Sequence, residues 1–324
     1  MRLHIKKTIK KICPNTVILW EIYKYDRLVE KLLKEVKQLN PKEYPTYLKE
    51  YYKSNMGISL DLDNPIRFTE KLQWRKIYDR DPIYTKLSDK YSVREWVKRK
   101  IGEEYLIPLL GHWHHFNEID FGLMPNQFVL KTNNGSHANF IIKDKKSFFR
   151  VKKTVGIKIE RLLHSRILLY GLELHYLDIE PLIIAEKYIQ PINNDTDLID
   201  YKFHCFNGIP LMCEVIESRS TRETVDYYDM DWNHLPLSNP PHPRKQASPK
   251  PEHFDEMIRL AKILSTGFQY VRVDLYDNGK VYFGEMTFTP SSGLEKYDPD
   301  DWDYYMGKLW DINDNQICHE VVQA

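Results

Sequence analysis

No apolar run in the 324 residues approaches the ~20 that a membrane-spanning helix needs. Cysteine is sparse: Cys13, Cys205, Cys213 and Cys318 form no Cys-x-x-Cys pair. That argues against a cysteine-held zinc site or a disulfide framework and fits a reducing compartment. Charge of one sign is not in excess, since 47 Lys+Arg stand against 46 Asp+Glu, so no nucleic-acid partner is expected. There is no G-x-x-x-x-G-K-[ST] loop, no G-x-G-x-x-G, no internal repeat and no low-complexity tract. No Ser-His-Asp or Cys-His arrangement is recognisable, so covalent catalysis by a protein nucleophile is not expected. With 42% hydrophobic and 29% charged residues, global disorder is excluded.

Aromatic residues make up 13% of the chain, with 22 tyrosines, which suits either a Tyr-rich core or a surface that stacks on sugars or bases. The N-terminus carries Arg2, Lys6, Lys7, Lys10 and Lys11 without an acidic residue. The apolar run behind it, Val17–Trp20, is shorter than the ~7–15 residues of a signal-peptide core. A cytoplasmic chain is expected, with the basic start able to make peripheral contact with anionic lipid at the inner membrane.

At ~150 residues per domain the length suggests two domains, or one with lobes. Residues 1–60 read as a helical N-terminal region, because Tyr23, Leu28, Val29, Leu32, Leu33 and Val36 recur at three- and four-residue spacing. Asn64-Pro65 closes it, Thr69–Trp74 resumes a helix, and Ser88 or Asp89 is a natural N-cap for another that Gly102 ends. Segment 61–125 is separated from a strand-rich core over 126–300, and 301–324 is read as a tail. Phe128–Lys131 is a strand ending at the turn Asn133-Asn134-Gly135-Ser136, with Ile141-Ile142 returning and Ile183–Ala185 a further buried strand. Asn207-Gly208 and Asn278-Gly279 mark two hairpins. The proline-rich stretch 235–251 reads as a long excursion or lid, and 253–266 as a helix. Helices first, then strands with helices between them, indicate an α+β or mixed α/β protein.

The second hairpin allows a geometric deduction. With Asn278-Gly279 as a two-residue loop, Asp274 faces Phe283 and Arg272 faces Glu285. Alternation then projects Arg272, Asp274, Glu285 and Thr287 from one face. Asp274 and Glu285 become diagonal neighbours, roughly 7–8 Å apart. Such carboxylates can grip Mg²⁺, or the face can be a solvated one with an Arg–Glu cross-strand pair. The apolar setting of Val271–Leu275 favours a ligand, because uncompensated buried charge is costly. Lys131 before a Gly/Ser/Asn turn can serve phosphate oxygens, or be an ordinary surface hairpin. Lys202, His204 and Phe206 share a face of the first hairpin. Two Asp-x-Asp strings, Asp61/Asp63 and Asp229/Asp231, are either Mn²⁺ ligands of a glycosyltransferase or ordinary turns.

Taken in order, the segments Asp89–Arg94, Phe128–Ser136, Ile184–Ile189, Asp200–Phe203, Arg272–Tyr276 and Gly284–Pro290 resemble an ATP-grasp enzyme. Asn64-Pro65, Phe68–Trp74 and Tyr105–Leu110 narrow the resemblance to the TupA-like branch, associated with surface-polysaccharide biosynthesis, over roughly residues 60–300. The resemblance implies an ATP-grasp fold, two α+β lobes with nucleotide between them, behind a helical N-terminal region. It implies ATP and Mg²⁺ as cofactors. Lys90 and Lys131 would contact phosphates, Asn134, Gly135 and Ser136 would cover the β- and γ-phosphates, and Glu186, Lys187, Tyr188 and Ile189 would read adenine. Asp274, Glu285 and Thr287 would bind Mg²⁺, Thr287 standing where the wider superfamily often has Asn and offering a weak or water-mediated hydroxyl contact. Arg272 and Lys202 would be catalytic. The implied reaction is ATP-dependent carboxylate–amine ligation through an acyl phosphate, joining an amino acid or similar amine to a uronic-acid sugar of a capsule or O-antigen. The alternatives are a glycosyltransferase of the same pathway, a phosphotransferase on the same fold, and a nucleotide-binding protein without catalysis.

Overall fold

Helical periodicity dominates the first hundred residues and strand alternation the later ones. The computed structural model, which describes residues 14–36, 38–135, 139–192, 197–240, 242 and 247–313, follows that order. Helices α1 (Pro14–Val36), α2 (Tyr44–Met56), α3 (Phe68–Tyr78), α4 (Pro82–Ser88) and α5 (Val93–Lys100) come first. Strands β1 (Leu109–Trp113), β2 (Phe128–Thr132) and β3 (Asn139–Ile142) precede α6 (Lys145–Phe149), α7 (Lys152–Leu163) and β4 (Ile183–Lys187). Then come β5 (Asp200–Phe206), β6 (Ile209–Glu217), β7 (Thr224–Tyr228), α8 (Phe254–Ser265), β8 (Tyr270–Asp277), β9 (Val281–Thr287) and α9 (Asp301–Lys308). The chain is α+β, as the sequence predicts, and divides into two compact units. The first contains residues up to Asn40, Asp89–Tyr91 and Pro108–Tyr188, and the second Pro41–Ser88, Ser92–Ile107 and Ile189 onward. Helix α2, within the expected N-terminal region, belongs to the second unit.

The first unit is built on an antiparallel sheet in the order β1-β4-β2-β3. One face buries Phe128, Leu130, Ile142, Ile183 and Ala185 against Phe148 of α6 and Val155, Ile159 and Leu163 of α7. The i, i+4, i+8 spacing of the α7 residues supplies its apolar stripe. Alternation turns Lys131 and Glu186 to the opposite face. The helix expected from Ser88 or Asp89 starts later, at Val93, because Ser88 closes α4 and Asp89 makes its own turn by accepting from the Tyr91 N–H at 2.8 Å.

The second unit carries an antiparallel five-stranded sheet in the order β7-β6-β5-β8-β9. One face packs Phe203, Cys205, Val215, Val271, Val273 and Leu275 on Phe254, Met257, Leu260, Ala261 and Leu264 of α8. Part of the other face is aromatic: Phe206, Tyr227 and Tyr270 meet Phe68 of α3 and Trp310. Buried Tyr52, Tyr84, Tyr201, Tyr227, Tyr228 and Tyr270 put many of the tyrosines in the core. Segment 301–324, read as a tail, contains α9 and Trp310 among its described residues. The Trp310 ring is fully buried, stacked on Tyr270 at 5.3 Å and lying 4.2 Å from the Arg75 guanidinium. Removing a buried indole costs its transfer free energy and leaves a cavity. Trp310→Ala is expected to lower stability by about 3–5 kcal/mol, read from the urea midpoint by circular dichroism.

Candidate functional site

The register of three strands sets the principal constellation. The Asn207-Gly208 turn closes β5 on β6 with both residues at positive φ, 50° and 74°, the type I′ geometry that matches strand twist. With a one-residue register shift between His204 and Cys205, Lys202 stands opposite Glu214 and, on the other side of β5, opposite Asp274 of β8. The second hairpin departs from the sequence-derived register. Asp277 pairs with Val281, so the turn holds three residues, and a bulge at Gly284 adds another shift. Asp274 therefore stands directly opposite Glu285, and Arg272 opposite Thr287, where diagonal and Arg–Glu pairings were expected. Gly284 permits the bulge: a Cβ there would sit 2.9 Å from the Asp274 carbonyl oxygen. The shift totals two residues, so Arg272, Asp274, Glu285 and Thr287 still share one face.

On that face Arg272 clamps Asp274, Nε donating to Oδ1 at 2.7 Å and Nη2 to Oδ2 at 2.8 Å. Lys202 Nζ donates to Asp274 Oδ2 at 2.6 Å. The three side chains are buried, whereas the Glu285 side chain is 36% exposed, its carboxylate 3.6 Å from Arg272 Nη2. Thr287 Oγ1 accepts from Arg272 at 3.3 Å and lies 3.4 Å from Glu285 Oε1. Burial alone would raise the Asp274 pKa, but Arg272 and Lys202 outweigh it and hold the carboxylate below its ordinary value. Glu214 behaves likewise: burial opposes its charge, yet the His204 hydrogen bond and the Arg272 and Lys202 charges bring it to about 2. Burial lowers the His204 pKa and keeps the imidazole neutral. Its Nε2–H then faces Glu214 Oε2 at 3.3 Å, and Nδ1 accepts from the Tyr270 hydroxyl at 3.0 Å.

The first unit supplies a second set. Lys131 Nζ meets Glu186 Oε2 at 2.6 Å, both side chains largely buried. Lys90 Nζ donates to the Gly135 carbonyl at 2.6 Å. Asn133 is held by the Asp89 carboxylate and by the Glu180 and Leu182 backbone. The Asn134 amide donates to the Leu163 carbonyl at the end of α7. Lys187 is exposed and its N–H bonds Pro108; Tyr188 is half-buried and Ile189 buried in the second unit. Ser136 lies outside the described residues.

The sequence matches the TupA-like ATP-grasp family over residues 70–311. The chain belongs to that family. No protein of curated function matches it. Among solved structures, this TupA-like ATP-grasp chain is similar to the D-alanine–D-alanine ligase from Bacillus anthracis complexed with ATP, at 16% identity and a TM-score of 0.37, over 64% of this chain and 55% of that one. It is also similar to the D-alanine–D-alanine ligase from Helicobacter pylori, at 12% identity and a TM-score of 0.40, over 75% of this chain and 65% of that one. The N5-carboxyaminoimidazole synthetase from Staphylococcus aureus gives 14% identity and a TM-score of 0.34, over 63% and 44%. The TupA-like chain thus spans about half the length of the first of these.

Both Asp-x-Asp strings are turns. Asp61 Oδ1 accepts from the N–H groups of Asp63 and Asn64, and Asp229 Oδ1 from those of Asp231 and Asn233. Sequence reasoning missed Glu214, Glu295, Asp200 and Arg219. Glu214 could have been found as a carboxylate in the otherwise apolar run Pro210–Ile216. Asp200 pairs with Arg219 at 2.7 Å beside the same sheet face. Glu295 accepts from Ser291 Oγ at 2.9 Å, from the Tyr227 hydroxyl at 3.2 Å and from the Asn239 amide. Burial, then the Glu214 charge, raise its pKa to about 7. The unfolded value is ~4.3, so this carboxyl favours the folded state most below ~4.3 and loses that preference as pH rises to about 7. Stability measured from pH 5 to 8 is expected to fall in the wild type relative to Glu295→Gln, by up to about 1.4 kcal/mol per unit. Parallel pH profiles of the two proteins would exclude the raised pKa.

Proposed function

We propose that the chain is an ADP-forming carboxylate–amine ligase acting through an acyl phosphate. The observation that carries this reading is the Lys202–Asp274–Arg272 cluster with Glu285 and Thr287 beside it on one sheet face. Asp274 accepts three hydrogen bonds, which leaves room for one more acceptor contact on a carboxylate with about four. Glu285, opposite it and more open, offers further hard oxygen. These residues fit Mg²⁺, Asp274 and Glu285 as ligands and the Thr287 hydroxyl as a guide to Glu285. Bound there, the ion would supply positive charge against the transferring phosphoryl oxygens.

The substrate carboxylate attacks the γ-phosphorus of ATP, ADP leaves, and an acyl phosphate forms. An amine nitrogen then attacks the acyl carbon, the amide bond forms, and phosphate departs as the amine loses a proton. Arg272 and Lys202 stabilise the oxyanion, preorganised by Asp274 so that little reorganisation is needed. Lys90 and Lys131, with the backbone of Asn134, Gly135 and Ser136, hold the phosphates, and Glu186 to Ile189 line the adenine. Lys131 is ion-paired with Glu186, and its ammonium carries three donors that phosphate oxygens can share. The family resemblance supports a uronic-acid sugar as the carboxylate and an amino acid or similar amine as its partner. Support for inner-membrane contact comes from Leu19, Trp20 and Tyr23, each about half exposed on α1, and from the sequence before it, where Arg2, Lys6, Lys7, Lys10 and Lys11 lie outside the described residues. The turn-bound Asp-x-Asp pairs weigh against the glycosyltransferase alternative.

ADP release that requires both a carboxylate and an amine tests the ligase reading. UDP-sugar turnover without any adenine-nucleotide effect overturns it. Asp274 is too deeply tied into the cation cluster to give a clean variant, since its loss would leave two buried cations undercompensated. The half-exposed Glu285 is the better probe. Glu285→Gln is expected to remove ADP release while leaving the melting temperature within a few degrees of wild type. Arg272→Lys is expected to retain ATP binding but lose ~10²–10³ in amide formation, because an ammonium cannot reproduce the planar fork. Full ligation by the Lys variant would rule out a catalytic Arg272.

A further inference from the structure

We propose that His115, Glu160 and His164 form a binding site for one divalent transition-metal ion of the Zn²⁺ class. It lies wholly within the first unit, uses none of the residues assigned to ATP or Mg²⁺, and does not depend on the ligase reading. Two imidazoles and one carboxylate are a zinc donor set, whereas Mg²⁺ prefers oxygen alone.

The geometry is built by α7 and the short helical turn after β1. Glu160 and His164 are four residues apart, at the end of α7, and so share a face. His115 comes from the chain just before Phe116. The Phe116 ring lies directly on α7 at Gly156, where a Cβ would stand 2.5 Å from it, so only glycine admits this approach. The Phe116 N–H donates to Glu160 Oε1 at 2.6 Å. That bond orients the carboxylate and leaves Oε2 towards the histidines, the kind of supporting contact that fixes metal ligands. Glu160 Oε2 is 3.9 Å from His115 Nδ1 and 3.7 Å from His164 Nε2, and all three donor atoms lie within 4.8 Å of one another.

Donors held at 2.0–2.2 Å in a tetrahedral shell stand about 3.3–3.6 Å apart, so small inward rotations would close the site. The histidine side chains are 60% and 56% exposed, which gives the rings room to turn. Three protein ligands on an open surface leave a fourth position for water or for a donor from another molecule. A metal there would tie the chain before Phe116 to the end of α7.

The test uses the full chain, stripped with a chelator and titrated with Zn²⁺ by calorimetry and with Co²⁺ by visible absorption. One equivalent is expected to bind in wild type and equally in Glu285→Gln, with tetrahedral Co²⁺ bands. His115→Gln and His164→Gln are each expected to weaken Zn²⁺ binding at least ~10-fold, and the double variant to abolish the Co²⁺ bands. Both positions are exposed, so the variants should keep the wild-type circular dichroism. Failure of wild type to bind one equivalent, or wild-type affinity in the double variant, would overturn the proposal and leave two histidine–carboxylate pairs without a metal role.

Discussion

A single buried carboxylate, Asp274, organises the second unit. Three charge-assisted hydrogen bonds reach it from Arg272 and Lys202. Taking those ions out of water is expensive, and only good geometry with mutual compensation returns the cost. The compensation is close to complete. Lys202 and Arg272 are balanced by Asp274 and Glu214, while His204 stays neutral and hydrogen-bonded between Glu214 and Tyr270. Glu285 then adds negative charge at the most open point of the cluster. The interior of the cluster is thus balanced, and its open side is acidic, as the proposed cation site requires.

The two faces of the sheet explain why such a cluster can exist. One face carries the apolar contacts with α8 and supplies stability, leaving the other able to bear ions. This division was legible in Val271-Arg272-Val273-Asp274-Leu275, where alternation assigns every side chain. The register was less legible. The apolar set along β9 and the residue after it runs Val281, Phe283, Met286, Phe288, and its parity breaks between 283 and 286. The break is the signature of the bulge, with Gly284 at the place where the Asp274 backbone comes close. Turn and bulge together shift the pairing by two, which preserves the face and changes the partners. Asp274 thereby gains Glu285 as a direct neighbour.

Contacts between distant parts of the chain were not legible. Asn133 reads locally as a turn residue, yet its side chain meets Asp89, Glu180 and Leu182, 44 to 49 positions away. Lys131 reads as a cation before a turn, yet it meets Glu186, itself read as an adenine contact. Glu295 and Arg219 carry no local pattern, and Tyr227 and Asp200, which pair with them, come from strands brought close by tertiary packing. Trp310 looks like part of a tail because its apolar neighbours are sparse in sequence, although Phe68, Arg75 and Tyr270 enclose it.

The guanidinium of Arg272 shows how stability and chemistry divide within one side chain. Nε and Nη2 are committed to Asp274, and Nη2 also reaches Thr287, so these donors anchor the group to β8 and β9. Among the described residues Nη1 has no hydrogen-bond partner, although arginine carries donors on all three nitrogens. The bonds that hold the hairpin leave that third nitrogen uncommitted. An edge fixed in place by two bonds on the opposite side can instead meet a developing oxyanion without first being ordered, and fixed donors of that kind lower a barrier most when charge appears late. Lysine could neutralise Asp274 at this position, but it has no second planar edge to present. Arginine here combines an anchored edge with an uncommitted one, which is what the proposed oxyanion role asks of it.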